Sequence, residues 1–134
     1  MKSTVPANFV ILFLLIGMIS CNSGDNRWND KMQLSTKRAE LMAESDSVTI
    51  SIAGNLWRLN DVNANGNYFY VNPEDTVKDF MNIKGDWFSV EKQGDQKLVV
   101  KVSENTSKMA RKMIITLESG NYFDYINVFQ KGME

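Results

Sequence analysis

The chain has no histidine, one cysteine and two prolines in 134 residues, and its 15 Lys+Arg nearly balance its 16 Asp+Glu. Without histidine, neither a Ser-His-Asp nor a Cys-His catalytic arrangement can form, and zinc or non-haem iron sites built on imidazole are excluded. The single cysteine, Cys21, can make neither an internal disulfide nor a thiolate cluster. Acids and bases are interspersed, so there is no basic stripe to neutralise phosphates, which argues against a nucleic-acid partner. No metal and no cofactor is expected from this inventory. The length suits one domain. What remains is a protein that binds, displays or scaffolds, or one that works through carboxylates.

The residues around the cysteine read as an address. Lys2 supplies a positive charge, residues 9–19 form an apolar run broken only by Gly17, and Ser20 places a small residue directly before Cys21. The run is too short to span a bilayer, which takes about 20 apolar residues, but long enough for a signal-peptide core. Met18-Ile19-Ser20-Cys21 resembles a bacterial lipoprotein signal, with Met18 where Leu is usual. That resemblance implies cleavage before Cys21 and a membrane lipid on its thiol. The expected organisation is a signal over residues 1–20, a polar Gly/Asn-rich tether over 21–31, and a folded domain over 32–134. The location implied is the outer membrane, on its periplasmic face or at the cell surface. Asn22 is not an inner-membrane retention Asp, and Asp25 is the one acidic residue close behind the cysteine.

From Ser47 onward the apolar period is two. Val48, Ile50 and Ile52, then Leu98, Val100 and Val102, then Met113, Ile115 and Leu117 alternate with other residues, as half-buried strands do. Trp57 and Leu59, Phe69 and Val71, Phe88 and Val90, and the segment 122–130 extend the series. Turn signals separate them at Gly54-Asn55, Asn65-Gly66, Gly85-Asp86, Gly94-Asp95, Asn105-Thr106-Ser107 and Gly120-Asn121. About seven short strands without crossover helices predict an all-β, immunoglobulin-like antiparallel β-sandwich. Residues 37–44 are rich in helix formers, yet Ala39, Leu41 and Ala43 also fit a first strand, and the strand is expected.

Four segments then carry a resemblance: Asp86-Trp87-Phe88-Ser89-Val90; Val100-Lys101-Val102-Ser103-Glu104-Asn105-Thr106-Ser107; Arg111-Lys112-Met113-Ile114-Ile115-Thr116-Leu117; and Ile126-Asn127-Val128-Phe129-Gln130-Lys131-Gly132. In order and spacing, from about Met32 to Gly132, the chain resembles the BACON family, immunoglobulin-like domains of Bacteroidetes named for a role in carbohydrate binding. Residues 60–79 are longer and more polar than in a typical member. The resemblance implies a non-enzymatic domain of a polysaccharide-handling system, with no catalytic residues to carry over. A structural spacer, or a partner of an outer-membrane or surface protein assembly, is the alternative.

Sugar rings stack on exposed aromatic faces while amides take their hydroxyls. If Phe69, Val71, Phe88 and Val90 face inward, alternation turns Trp87, Tyr68 and Tyr70 outward, and Asn63, Asn65, Asn67 and Asn72 flank the tyrosines. Trp87 or the Tyr68/Tyr70 pair is therefore the candidate glycan platform. Asp61-Val62-Asn63-Ala64-Asn65-Gly66-Asn67 has the first half of a calcium loop, but Asn72 stands where a bidentate Glu is needed, and a hairpin turn is expected instead. Asp75, Asp79, Asp86 and Glu91 lie close in sequence, as carboxylates at this frequency will, and point to no hydrolase. Asp46-Ser47-Val48 and Asp75-Thr76-Val77 resemble short O-glycosylation acceptors of exported proteins, which makes Ser47 and Thr76 candidate modification sites. Asn105-Thr106-Ser107 is formally a sequon and reads as a turn.

Overall fold

The computed structural model describes residues 32–54, 56–72 and 80–134; the expected signal, the tether with Cys21, and Thr76 lie outside the described residues. Among the described residues ten strands follow one another: β1 (Gln33–Leu34), β2 (Arg38–Leu41), β3 (Asp46–Ala53), β4 (Arg58–Ala64), β5 (Asn67–Tyr70), β6 (Phe80–Lys84), β7 (Phe88–Gln93), β8 (Lys97–Val102), β9 (Arg111–Ser119) and β10 (Tyr122–Gln130). They form two five-stranded sheets, ordered β1-β3-β8-β7-β6 and β2-β10-β9-β4-β5. Among the described residues no helix is long and apolar enough to cross a membrane.

The all-β sandwich is the fold expected from the period-two pattern, with ten strands rather than about seven. The surplus is at the edges. β1 is two residues long and pairs only with β3, and β6, Phe-Met-Asn-Ile-Lys, lacks clean alternation and is held as a strand by pairing with β7. Nor is the sandwich wholly antiparallel, since β2 runs parallel to β10. The helix-forming segment at 37–44 becomes this strand because Ala39 and Leu41 are both buried, a pattern only an extended chain provides. Pairing thus overrides local propensity.

Inward alternation builds one core from both sheets. Ile50, Ile52, Val90, Leu98 and Val100 from the first sheet meet Met113, Ile115, Leu117, Ile126 and Val128 from the second. In β4 both Leu59 and Val62 are buried although three residues apart. A bulge between Leu59 and Asp61 absorbs the extra residue, which keeps both side chains on the core side.

Each end of the sandwich is closed by polar groups. At one end buried Trp57 donates its indole N–H to the Asp95 carbonyl (2.5 Å), and the Lys92 ammonium donates to the Trp57 carbonyl (2.7 Å) while lying 4.5 Å over the Trp57 ring. At the other end Asn105 and Gln130, 0% and 1% exposed, hold the chain ends together. The Asn105 amide nitrogen donates to the Met109 and Lys131 carbonyls (2.9 and 3.1 Å), and its oxygen accepts the Ser107 N–H (3.1 Å). The Gln130 amide nitrogen donates to the Ser103 carbonyl (2.8 Å), and its oxygen accepts from Arg111 (3.2 Å). Gly132 lies against the Lys108 backbone, where a side chain would collide. Asn105→Ala removes three hydrogen bonds made by a fully buried side chain, so we expect it to cost about 3 kcal/mol of folding free energy. Urea unfolding that shows a loss below about 1 kcal/mol would contradict this role.

Candidate functional site

Register across the second sheet places outward side chains in rows. Tyr70 lies opposite Asp61, Asp61 opposite Thr116, and Thr116 opposite Tyr125, so one row runs β5-β4-β9-β10. The next row is Tyr68, Asn63, Ile114, Asn127, and then Arg38 of β2. Three interstrand steps of about 4.8 Å separate the outer tyrosines of such a row, roughly 14 Å.

These rows form a groove of about 430 Å³ lined by Asp61, Asn63, Tyr68, Ile114, Thr116, Tyr125 and Asn127. Its walls are aromatic. Tyr68 and Tyr70 are 60% and 68% exposed, with ring planes 14° apart and centroids 6.4 Å apart, and Tyr125 stands across from them at 50% exposed. The floor is polar along β4 and apolar at Ile114, and Thr116, 8% exposed, lies at its base. Asp61 is the one carboxylate in the lining, and its Oδ2 accepts from the Asn60 amide (3.2 Å). A hollow of about 460 Å³ at the opposite edge of the domain is lined by Met42, Glu44, Glu104, Met133 and other residues, with no aromatic side chain.

Around the groove the charges are mostly matched. Arg58 donates twice to Glu118 Oε2 (3.1 and 2.9 Å), and Arg38 pairs with Glu40 at 2.9 Å. Lys37 pairs with Asp124 at 3.0 Å. The hydrogen bond from Arg38, reinforced by its charge, holds the Glu40 carboxyl below the ordinary glutamate range. The hydrogen bond to Asp124, with its charge, raises the Lys37 ammonium above the ordinary lysine range.

Of the expected platform residues, the structure brings Tyr68 and Tyr70 together on the outer face of β5 and sets Trp87 apart from them. Trp87 precedes β7 in the other sheet and is half-buried against the core. Its ring meets Phe88 edge-on at 5.2 Å, and the Arg111 guanidinium lies 5.0 Å over it. The expectation that alternation turns Trp87 fully outward fails because the residue sits before the strand begins, beneath Arg111. Ser47 is exposed on β3, next to Asp46, whose carboxylate accepts the Met42 and Ser47 N–H groups (3.2 and 2.8 Å). The calcium-like stretch is the β4–β5 hairpin, as the turn reading has it. Its Asn63 and Asn65 oxygens bond backbone N–H groups rather than converge, and among the described residues no metal-holding cluster of acids occurs. Of the four acids close in sequence, Asp75 and Asp79 lie outside the described residues, and Glu91 is 3.9 Å from Lys101.

Sequence reasoning missed Tyr125, Asp61, Thr116 and Asn127. The signal for Tyr125 and Asn127 was present, since Ile126 and Val128 point inward, but their nearness to Tyr68 depends on strand order.

Residues 74–131 match the family model described as "BACON: Putative binding domain, N-terminal", which bears out the resemblance read from the later strands. The chain is similar to a protein from Bacteroides thetaiotaomicron solved by NMR, at 22% identity and a TM-score of 0.59, over 78% of this chain and 90% of that one. It is also similar to a Bacteroides ovatus GH5 xyloglucanase solved in complex with a XXXG heptasaccharide, at 15% identity and a TM-score of 0.51, over 78% of this chain. The match spans only 19% of the xyloglucanase. Both likenesses speak for the fold. No curated protein matches the chain.

Packing and exposure separate the two kinds of aromatic. Trp87→Ala should lower stability by about 3 kcal/mol, whereas Tyr68→Ala and Tyr70→Ala should each change it by no more than about 0.5 kcal/mol. Urea unfolding of the three variants checks this, and equal losses would contradict the assignment.

Proposed function

We propose that the protein is a non-enzymatic glycan-binding lipoprotein, anchored through lipid on Cys21, that presents the outer face of the β2-β10-β9-β4-β5 sheet to a polysaccharide or mucin chain in a polysaccharide-handling system of the outer membrane. One observation carries the binding reading: the groove with Tyr68, stacked on Tyr70, on one wall, Tyr125 on the other, and Asp61, Asn63, Thr116 and Asn127 between them. Sugar C–H faces stack on tyrosine rings. Hydroxyls exchange hydrogen bonds with the amides, the Thr116 hydroxyl and the Asp61 carboxylate. The shallow, open form of the site suits an extended chain that passes through, and hydrolysis would call for two carboxylates flanking one bond, where the lining has Asp61 alone. The family description, a binding domain, supports the same reading.

Affinity electrophoresis through gels containing mucin or plant polysaccharides tests the function. The protein should be retarded by at least one polymer. Tyr68→Ala and Tyr125→Ala should each weaken that retention about tenfold, equivalent to roughly 1.4 kcal/mol, and free mobility in every gel would sink the proposal. The anchor is tested separately by cell fractionation. The unaltered protein should partition with membranes and Cys21→Ser should not, since acyl chains contribute about 0.8 kcal/mol per buried methylene. Membrane recovery of Cys21→Ser equal to that of the unaltered protein would refute lipidation.

A further inference from the structure

Past Asn63 and Ile114 the groove continues into a second hollow of about 220 Å³, lined by Asn63, Asn65, Gly66, Lys112 and Ile114. Its chemistry follows from the turn between β4 and β5. Asn65 (φ 49°) and Gly66 (φ 92°) both occupy the left-handed region, as a two-residue hairpin of type I′ requires. The turn delivers the Gly66 N–H to Asn63 Oδ1 at 2.9 Å. On the neighbouring strand, the Lys112 N–H donates to Asn65 Oδ1 at 3.0 Å, while the Asn65 N–H donates to the Lys112 carbonyl at 2.9 Å. A backbone N–H can only donate, so both amide oxygens are identified and engaged, and each side-chain NH2 must present the other way. Among the described residues neither NH2 meets an acceptor.

Lys112 adds a third donor. Its ammonium lies 5.5 Å from the Phe129 ring centre, and among the described residues no carboxylate is within 4 Å of it. The other cations on and beside this face, Arg38, Arg58 and Lys37, each have one. Three donors with no free side-chain acceptor, over the apolar floor of Ile114, complement an anionic group on an otherwise neutral ligand.

We propose that this hollow is an acid-reading subsite, in which a carboxylate or sulfate substituent of the bound glycan docks between Asn63, Asn65 and Lys112. The inference rests on the glycan reading above and deepens it. Asp61 lies two residues along β4 from Asn63, about 7 Å away, and would repel a second acid there. The ligand is therefore oriented, with its acidic sugar toward the β4–β5 turn and neutral sugar beside Asp61.

The test compares gel retention by chondroitin sulfate with its desulfated and carboxyl-reduced forms, and by polygalacturonate with a neutral galactan. An acid-bearing polymer should be held about tenfold or more tighter than its neutral counterpart at low salt, as expected for hydrogen bonds to a charged group, with the preference shrinking as salt rises. The desulfated and carboxyl-reduced arms tell sulfate from carboxylate. Lys112→Gln, at an exposed position, should keep the melting temperature and neutral-polymer binding but lose the preference. Equal retention of acidic and neutral polymers, or a preference that survives Lys112→Gln, overturns the subsite and leaves the glycan reading standing. No retention by any polymer overturns both.

Discussion

The domain depends on the buried hydrogen bonds of Asn105 and Gln130, because these decide where β10 stops against β2 and β9. Gln130 is the last residue of β10, paired with Leu41 of β2 on one side and Arg111 of β9 on the other. Its amide bonds the Ser103 carbonyl and the Arg111 guanidinium, while Asn105 bonds the carbonyls of Met109 and Lys131. Shifting β10 by one residue would break this set around two side chains that are almost wholly buried. It would also exchange the two faces of the strand, because side chains alternate with a period of two. The same constraint that keeps Ile126 and Val128 in the core thus keeps Tyr125 and Asn127 on the outer face.

The motif residues take their meaning from this end of the sandwich. Trp87, Asn105, Arg111 and Gln130 are distant in sequence, yet Arg111 lies over the Trp87 ring and bonds Gln130, and the Ser103 N–H bonds the Trp87 carbonyl beside them. They fasten the two sheets to each other. Residues that most clearly mark the resemblance to the BACON family are therefore the ones holding the fold together, and the groove lies on the outer face of β4, β5, β9 and β10. Two of these, β4 and β5, fall outside the stretch that the family model matches. On β9 and β10 one strand carries both, with inward residues in the core and outward ones lining the groove.

Strand content, the turn positions, the inward residues of β3, β8 and β9, and the outward pair Tyr68/Tyr70 were legible in the chain itself. Each of these follows from a local rule: alternation with a period of two, or a Gly or Asn at a turn. Trp87 misled because alternation says nothing about a residue just before a strand, where Arg111 from another strand folds over it. The parallel pairing of β2 and the ten-strand count were equally hidden, since edge strands are held by a partner more than by their own pattern. Only the tertiary structure decided that Tyr125 faces Tyr68, that Asn63 and Asn65 turn their oxygens to backbone N–H groups, and that Lys112, among the described residues, is left without a carboxylate while its neighbours are paired. The physical reason is the same in each case. Alternation specifies which side of a strand a residue occupies, but the strand beside it is chosen by pairing between segments as many as about 90 residues apart, as Arg38 and Asn127 are.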